Sequence, residues 1–507
     1  MAEFSADDLQ SVHVFSLLSL SLLLYISVVA LYRLYLHPLA KVPGPKLAAL
    51  TFLPEFYYNY LNDGSFLWQI KDWHKKYGPI VRITPDEVSL CDPDLYDEIY
   101  RVGTKYTKDP AFYGAFGGLE NSMFNYESNK AHRIRRAVFD PLFSRRTVLS
   151  LESVVQSHVS KLLNKVQTLK AQGQTINLHR AFACVSVDVI TEYATNQCWN
   201  VMDKSDFGND FFRMIDTLGK GIWLLKQFPF LKPMTALPPN IARLLSAEAG
   251  GVGDLIEDCK REVRRITATW SKEDKEKLEH KTIFHQLLDP DAETGHVVPS
   301  VSEMAAEAFA FVVAASGTTG NALEMTAMGI LENPAIHERV IEELTSAFPN
   351  GEAMSWQELE KCEYLTACIR EGLRLTYGVI GRLPRKVPDE GVVFYDYHLP
   401  KGSVVSLSTI FIHNNESIYP DNERFNPDRW LGPSKANLRK YLVPFSKGSR
   451  ACIGQHLAWS ELYITLGRLL RNCDLSMAPT SSTVETIRYA DEFGPRIKEG
   501  QPGLQVR

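Results

Sequence analysis

Phe445-Ser446-Lys447-Gly448-Ser449-Arg450-Ala451-Cys452-Ile453-Gly454 is the stretch on which the reading of this 507-residue chain turns. It reads as a loop that presents one cysteine to a haem iron. Gly448 and Gly454 let the backbone fold tightly and approach a flat ring with no Cβ in between. Phe445 is placed to wall the sulfur off from water, and Arg450 to pair with a haem propionate. Residues 455–472 repeat leucine at helical spacing, at Leu457, Leu462, Leu466 and Leu470. Cys452 therefore precedes a helix, whose free N–H groups and dipole favour thiolate over thiol. A thiolate on haem iron pushes electron density across the metal and favours O–O cleavage. A buried, inert cysteine is the plainer reading of one Cys; matches at Phe445, Gly448, Arg450, Cys452 and Gly454 outweigh it.

Composition narrows the class. Beyond the N-terminal region there is no Pro/Gly/Ser-rich linker, repeat or low-complexity block, so one large catalytic domain is expected over 51–507. A net charge of −5 argues against a nucleic-acid partner, which calls for a basic face. The eight cysteines include no C-x-x-C pair, which excludes the usual zinc and iron–sulfur spacings and gives no disulfide framework. Reduced thiols in a cytosol-facing domain fit this usage. Asn415-Glu416-Ser417 is formally a glycosylation sequon, unused in such a compartment.

From Val14 to Tyr32 no residue is charged. As a helix this segment spans about 28 Å, one hydrocarbon core. A cleaved signal peptide wants a basic start, whereas this chain begins with Glu3, Asp7 and Asp8. Arg33, Lys41 and Lys46 lie on the far side and place the bulk of the protein in the cytoplasm. Residues 1–32 are expected to be a single-pass membrane anchor, of the endoplasmic reticulum, with its helix at about 14–32. Residues 33–50, containing Val42-Pro43-Gly44-Pro45, form a stiff hinge. A second apolar stretch, Trp223 to Leu245, is broken by Pro229, Pro233, Pro238 and Pro239. It is either ordinary helix–loop–helix or a loop that dips into the bilayer.

Three further blocks precede the cysteine loop. Glu371-Gly372-Leu373-Arg374 puts both charges on one face of an amphipathic helix. Tyr419-Pro420-Asp421-Asn422-Glu423-Arg424-Phe425-Asn426-Pro427-Asp428-Arg429-Trp430 lies between it and the loop. Phe309 to Leu323 is apolar, uncharged and rich in small residues, with the length of a buried core helix. Together with the cysteine loop these blocks, in this order, resemble the cytochrome P-450 family. The resemblance runs from the anchor to about residue 496, and its hinge and Tyr-Pro-Asp segment are most similar to fungal secondary-metabolism members, the trichodiene-oxygenase-like group among them.

The resemblance implies a mainly α fold with small β-sheets near the N- and C-terminal ends. It implies haem b, with Cys452 as axial ligand and electrons from NADPH through a separate reductase. Glu371, Arg374 and Arg424 match the triad that interlocks behind the haem. Arg450, Arg385, His132 and Arg136 match positions at the haem edge, His132 standing where many members carry tryptophan. Thr318 matches the threonine that handles dioxygen, with a hydroxyl bonded back to Ala314 as its plainer reading. Gly317 stands where the family usually has an acid. Substrate-facing positions are Phe112, Tyr113, Phe116, Phe309, Val313, Val379, Ile380 and Phe493. Arg133, Arg135, Arg145, Arg146, Lys435, Arg439, Lys440 and Lys447 would form the basic face that docks the reductase.

The expected reaction inserts one atom of O₂ into a lipophilic terpenoid, alkaloid or polyketide. Gly317 keeps two alternatives open. One is a haem-thiolate isomerase, dehydratase or coupling enzyme with no net oxygen insertion, since a carboxylate normally relays the protons. The other is a non-catalytic haem-binding scaffold, which a missing thiolate-shifted Soret band would favour.

Overall fold

The computed structural model describes residues 6–270, 282–351, 354–433 and 435–507. Glu3, and the side chains of Asp7 and Asp8, lie outside the described residues. Helix α1, Ala6–Leu31, continues through a wider turn at Tyr32–Leu36. His13–Leu36 is long and apolar enough to cross a membrane, and none of it is buried in the protein. Residues 37–50 lie against the body of the protein: Leu39, Val42, Ala48 and Ala49 are buried. Arg33 Nη1 donates to Leu50 O, and Arg82 Nη1 to Arg33 O at 2.8 Å.

The body is mainly helical, as the family resemblance implies. The helices that build the site are α2 (Asn129–Phe139), α3 (Glu152–Ala171), α4 (Leu178–Thr195), α5 (Asn209–Gln227), α6 (Ala247–Thr269), α7 (Val301–Ala315), α8 (Thr318–Glu332), α9 (Glu363–Thr376) and α10 (Gln455–Asn472). Side-chain caps start several of them: Ser128 accepts from Ala131 N, and Ser300 with Glu303 closes a capping box on α7. Helix α8 is buried on every side from Thr319 to Ile330, and α4 is nearly so. A helix apolar all round belongs in the interior, and α8 packs against α4, α9 and α10 there.

The sheets are small. Strands β1 (Ile80–Arg82), β2 (Glu87–Leu90), β3 (Thr107–Lys108), β4 (Arg385–Lys386) and β5 (Val404–Leu407) form one sheet in the order β1-β2-β5-β4-β3. Only the β2–β5 pairing is parallel. This sheet carries Lys108 and Arg385 to one end of the central cavity. A hairpin of β6 (Tyr489–Glu492) and β7 (Gly494–Ile497) brings Phe493 to another wall.

One expectation sharpens here, since Gly317 and Gly320 are the residues able to loosen this helix. Phe309 to Leu323 does not form one continuous helix. α7 ends at Ala315 and α8 starts at Thr318, with Gly317 at φ −136° between them. Ser316 Oγ folds back onto Val313 O at 2.8 Å, which takes up a carbonyl at the break.

Candidate active site

The cysteine loop is held from three directions. Cys452 N donates to Phe445 O at 2.8 Å, closing the loop on itself. Gly448 sits at φ +70°, and a Cβ there would collide with the carbonyl oxygen of Tyr100. That position therefore demands glycine. Gly454 makes no such demand: its φ is −79°, and it caps the N-terminus of α10. Phe445 packs toward Trp459, ring centroids 6.3 Å apart, and Tyr96 Oη donates to Ser446 Oγ at 3.0 Å. Arg136, expected at the haem edge, spends its guanidinium on Asp140 at 2.8 Å and on the carbonyl oxygen of Ala451. It braces the residue next to Cys452.

The helix terminus alone does not make Cys452 a thiolate. Cys452 is open to the cavity but enclosed by protein, and that desolvation pushes the thiol up against the smaller opposing pulls of the Gly454 N–H and Arg136. A cation bound at sulfur would deprotonate it outright.

Cys452 and Thr318 line the same cavity, of about 1220 Å³. Ordinary ligand pockets hold roughly 300–1,000 Å³. One end of the cavity is strongly basic. Lys108, His132, Arg136 and Arg450 line it, and Arg385 lines it from β4. Burial and then the charges of Arg450, Lys108, Arg136 and Arg385 push His132 down to about 2. Burial and the neighbouring Arg385 bring Arg450 down to about 10, and Lys108 is held well below its usual range by burial, Arg385 and Arg450. Lys108 Nζ stands 4.0 Å from the Tyr113 ring centroid and 4.2 Å from that of Phe124. Arg385 Nη1 donates to Tyr113 Oη at 2.8 Å. Arg450 Nη2 donates to Glu127 O and Asn129 Oδ1, while its Nη1 is buried with no partner. Such a cluster, with one orphaned guanidinium nitrogen, fits a dianionic group. The two propionates of haem match that demand, and Cys452 would supply the metal ligand. Lys108 escaped the sequence reading because a two-residue strand carries no periodic signal.

Behind this wall lies the ion-pair network, and one of its expected members is different. Glu371 and Arg374 are fully buried and bidentate, Nη2–Oε1 2.8 Å and Nε–Oε2 3.0 Å. The third side chain is Arg429, not Arg424: Arg429 Nε donates to Glu371 Oε1 at 3.1 Å. Arg424 is exposed and offers only its backbone carbonyl, to Arg374 Nη2. Trp430 Nε1 and Asn426 N complete the shell of Glu371 at 2.8 and 3.0 Å. The physical reason is local. A 3₁₀ turn at Pro427–Trp430 turns Arg429 and Trp430 inward, while the preceding turn leaves Arg424 at the surface.

On the other side, Thr318 is exposed to the cavity, and its Oγ1 donates to Ala314 O at 2.9 Å. No atom lies within 4 Å of where a Cβ on Gly317 would stand. Of the substrate-facing candidates, Tyr113, Phe116, Phe309, Val313, Val379 and Phe493 line the cavity. Phe112 and Ile380 do not: both are fully buried behind it, Phe112 between Trp223 and the Arg382 guanidinium. Phe124, which the sequence reading missed, joins Tyr113, Phe116 and Phe493 in one cluster of rings 5.0–6.2 Å apart. Its place between Phe116 and His132 in an aromatic-rich loop was the available signal.

The proximal basic face is also revised. Arg135 points inward to Glu307 at 2.8 Å, and both are buried. Arg145, Lys435, Lys440 and Lys447 pair with Glu360, Glu363, Asp94 and Asp97. Arg133, Arg146 and Arg439 are exposed.

Comparison with known proteins identifies the family. The family profile described as Cytochrome P450 matches residues 45–496. Conidiogenone synthase PchP450 of Penicillium rubens is 35% identical, covering 94% of this chain and 95% of its own. Cytochrome P450 monooxygenase TRI4 of Trichoderma arundinaceum is 34% identical, over 93% and 91%. N-acetyltryptophan 6-hydroxylase ivoC of Emericella nidulans is 32% identical, over 99% of both. The chain belongs to the cytochrome P450 family and is an oxidoreductase with a haem-thiolate centre.

Proposed function

We propose that this protein is a membrane-anchored monooxygenase of fungal secondary metabolism, acting on a lipophilic small molecule with O₂ and electrons from NADPH through a separate reductase. The observation that carries the reading is a single aromatic-lined cavity with Cys452 on one wall and Thr318 on another. When bound, the haem supplies oxygen activation with a thiolate donor. The residues of this chain do the rest. Lys108, Arg385, Arg450 and His132 hold the propionate end. Tyr113, Phe116, Phe124 and Phe493 offer ring faces and edges to an apolar substrate and exclude water. Thr318 Oγ1 and Ser316 Oγ keep protons beside the helix break, where Gly317 leaves room for water to link them.

The surface supports a membrane setting. Phe230, Ile241, Leu244 and Leu245 are exposed, Leu244 by 85%. The same proline-broken segment contributes Leu231, Met234 and Leu237 to the cavity wall. It thus separates the cavity from an apolar surface, the arrangement of a door open to lipid. With α1 as anchor, Arg33, Lys41 and Lys46 favour a catalytic domain on the cytosolic side, and the endoplasmic reticulum is the membrane we assign it to. The hinge at 33–50 then fixes how the body meets the bilayer. Arg133, Arg146 and Arg439 supply charge for reductase docking, so raising salt should slow electron transfer.

Gly317 favours one second reading: an isomerase, dehydratase or coupling enzyme that needs no carboxylate relay. The direct test of the centre itself is the ferrous carbon-monoxide spectrum of purified protein. A thiolate-shifted Soret band, lost in Cys452→Ser, is expected. An unshifted band in folded, haem-loaded protein would rule the centre out.

A further inference from the structure

Between α3, α4 and the loop that follows α4 lies a second cluster of ligand-type side chains, none of which lines the central cavity. A ring nitrogen of His158, a carboxylate oxygen of Asp188 and Sγ of Cys198 all lie within 4.8 Å of one another. His158 comes from α3, Asp188 from α4, and Cys198 from the loop after α4. His158 and Asp188 are 2% and 0% exposed, while Cys198 is half-buried and reachable from solvent.

Each side chain is already oriented. His158 Nε2 donates to Glu192 Oε2 at 2.7 Å. This leaves the lone pair on Nδ1, which is buried with no partner. A carboxylate on the far nitrogen is the arrangement that fixes the tautomer of a metal-bound histidine. Asp188 accepts from Val201 N and Met202 N at 2.8 and 3.0 Å, which aims the carboxylate and leaves lone pairs to spare. Asn200 N donates to Cys198 Sγ at 3.3 Å, so the sulfur, too, is held by the backbone.

We propose that His158, Asp188 and Cys198 bind a zinc ion that staples α3 to α4 and the loop that follows. The donor set decides the metal. One thiolate, one imidazole and one carboxylate suit zinc and disfavour magnesium or calcium, which take oxygen ligands. Tetrahedral zinc at its usual bond lengths spaces its ligand atoms by about 3.3–3.8 Å, so the cluster, whose atoms lie within 4.8 Å of one another, closes by at most about 1.5 Å on binding. The Cys198 proton leaves to solvent as the Zn–S bond forms. Water takes the fourth position, with Glu192 kept on His158 Nε2. The ion neutralises a site with carboxylates at Asp188 and Glu192 and satisfies the orphaned nitrogen. Because α4 packs on both α7 and α8, the staple stiffens the support of the helix break beside Thr318.

The test uses full-length, haem-loaded protein, stripped with a chelator and then given zinc chloride. Metal retained after gel filtration is counted per haem, and alkylation of Cys198 is followed by mass spectrometry. One zinc per chain is expected, with affinity reduced about tenfold or more in Cys198→Ala and in His158→Gln. Zinc should slow alkylation of Cys198 about as strongly, while Cys91, the other half-buried cysteine, serves as the unaffected control; magnesium should protect neither. Retention of the thiolate-shifted Soret band certifies that a variant is folded. If His158→Gln does not fold, protection of Cys198 in the wild-type protein decides alone. Equal zinc retention in wild type and variants, or Cys198 alkylation indifferent to zinc, would overturn the proposal.

Discussion

Replacing Arg429 by alanine, with Arg424→Ala beside it, tests the network behind the haem. Arg429 Nε donates to Glu371 Oε1, and its Nη1 to Pro420 O at 2.9 Å. Glu371 is fully buried, and two of its five donors are backbone or indole groups that cannot supply charge. Removing one cation from a buried network costs about 3–5 kcal/mol, because part of the carboxylate charge is left uncompensated. Arg424 is exposed and contributes no side-chain atom to the network, so Arg424→Ala should cost no more than about 0.5 kcal/mol. Unfolding entropy near 2.1 cal/mol/K per residue gives about 1 kcal/mol/K for a chain of this length. The expected shift in thermal midpoint is therefore about 3–5 °C for Arg429→Ala and under 1 °C for Arg424→Ala. Loss of the thiolate-shifted Soret band on heating, in detergent-solubilised protein, reads both. A reversed order, or equal and large losses, would refute the assignment of Arg429.

Three other perturbations read separate parts of the site. Glu461 is 2% exposed, its carboxyl pushed up to about 7 by burial with Ser186 as its hydrogen-bond donor. Its folded value lies above the ordinary 4.5, so the native state binds more protons between those values and loses stability as pH rises through that window. Glu461→Gln keeps an acceptor for Ser186 and should flatten that slope, stabilising the protein by about 3 kcal/mol above pH 7; an unchanged slope contradicts this. Gly448→Ala meets both a positive φ and the Tyr100 carbonyl, so haem-loaded protein should fall at least tenfold, and full loading would show that the loop can relax. Gly317→Asp enters open space, so it should fold normally and raise product per NADPH severalfold; unchanged coupling would mean the relay through Thr318 and Ser316 is already complete.

Much of the site was legible because its residues are close together in sequence. The cysteine loop groups Gly448, Arg450 and Cys452 within five positions, and Gly448 sits where a positive φ and the Tyr100 carbonyl demand glycine. Glu371 and Arg374 were equally clear, since three residues make one helix face. Arg424 was the wrong partner because two arginines in one segment look alike until the 3₁₀ turn at Pro427–Trp430 selects between them. The helix expected over Phe309 to Leu323 was legible in part: Gly317 and Gly320 in a run of small residues mark where it can loosen, and packing sets the break at Ser316 and Gly317. Arg135 was assigned to the surface by charge alone, whereas burial of Glu307 on α7 draws it inward. Phe112 and Ile380 show the limit of positional analogy, each lying one layer behind the wall it was expected to line.

The measurement that tests monooxygenation most directly compares host metabolites with and without this gene under ¹⁸O₂. Oxygen insertion predicts a product found only with the gene, heavier than its precursor by one labelled oxygen atom. A gene-dependent product carrying no label would contradict it, and would make the missing acid at Gly317 the centre of a rearrangement, dehydration or coupling mechanism.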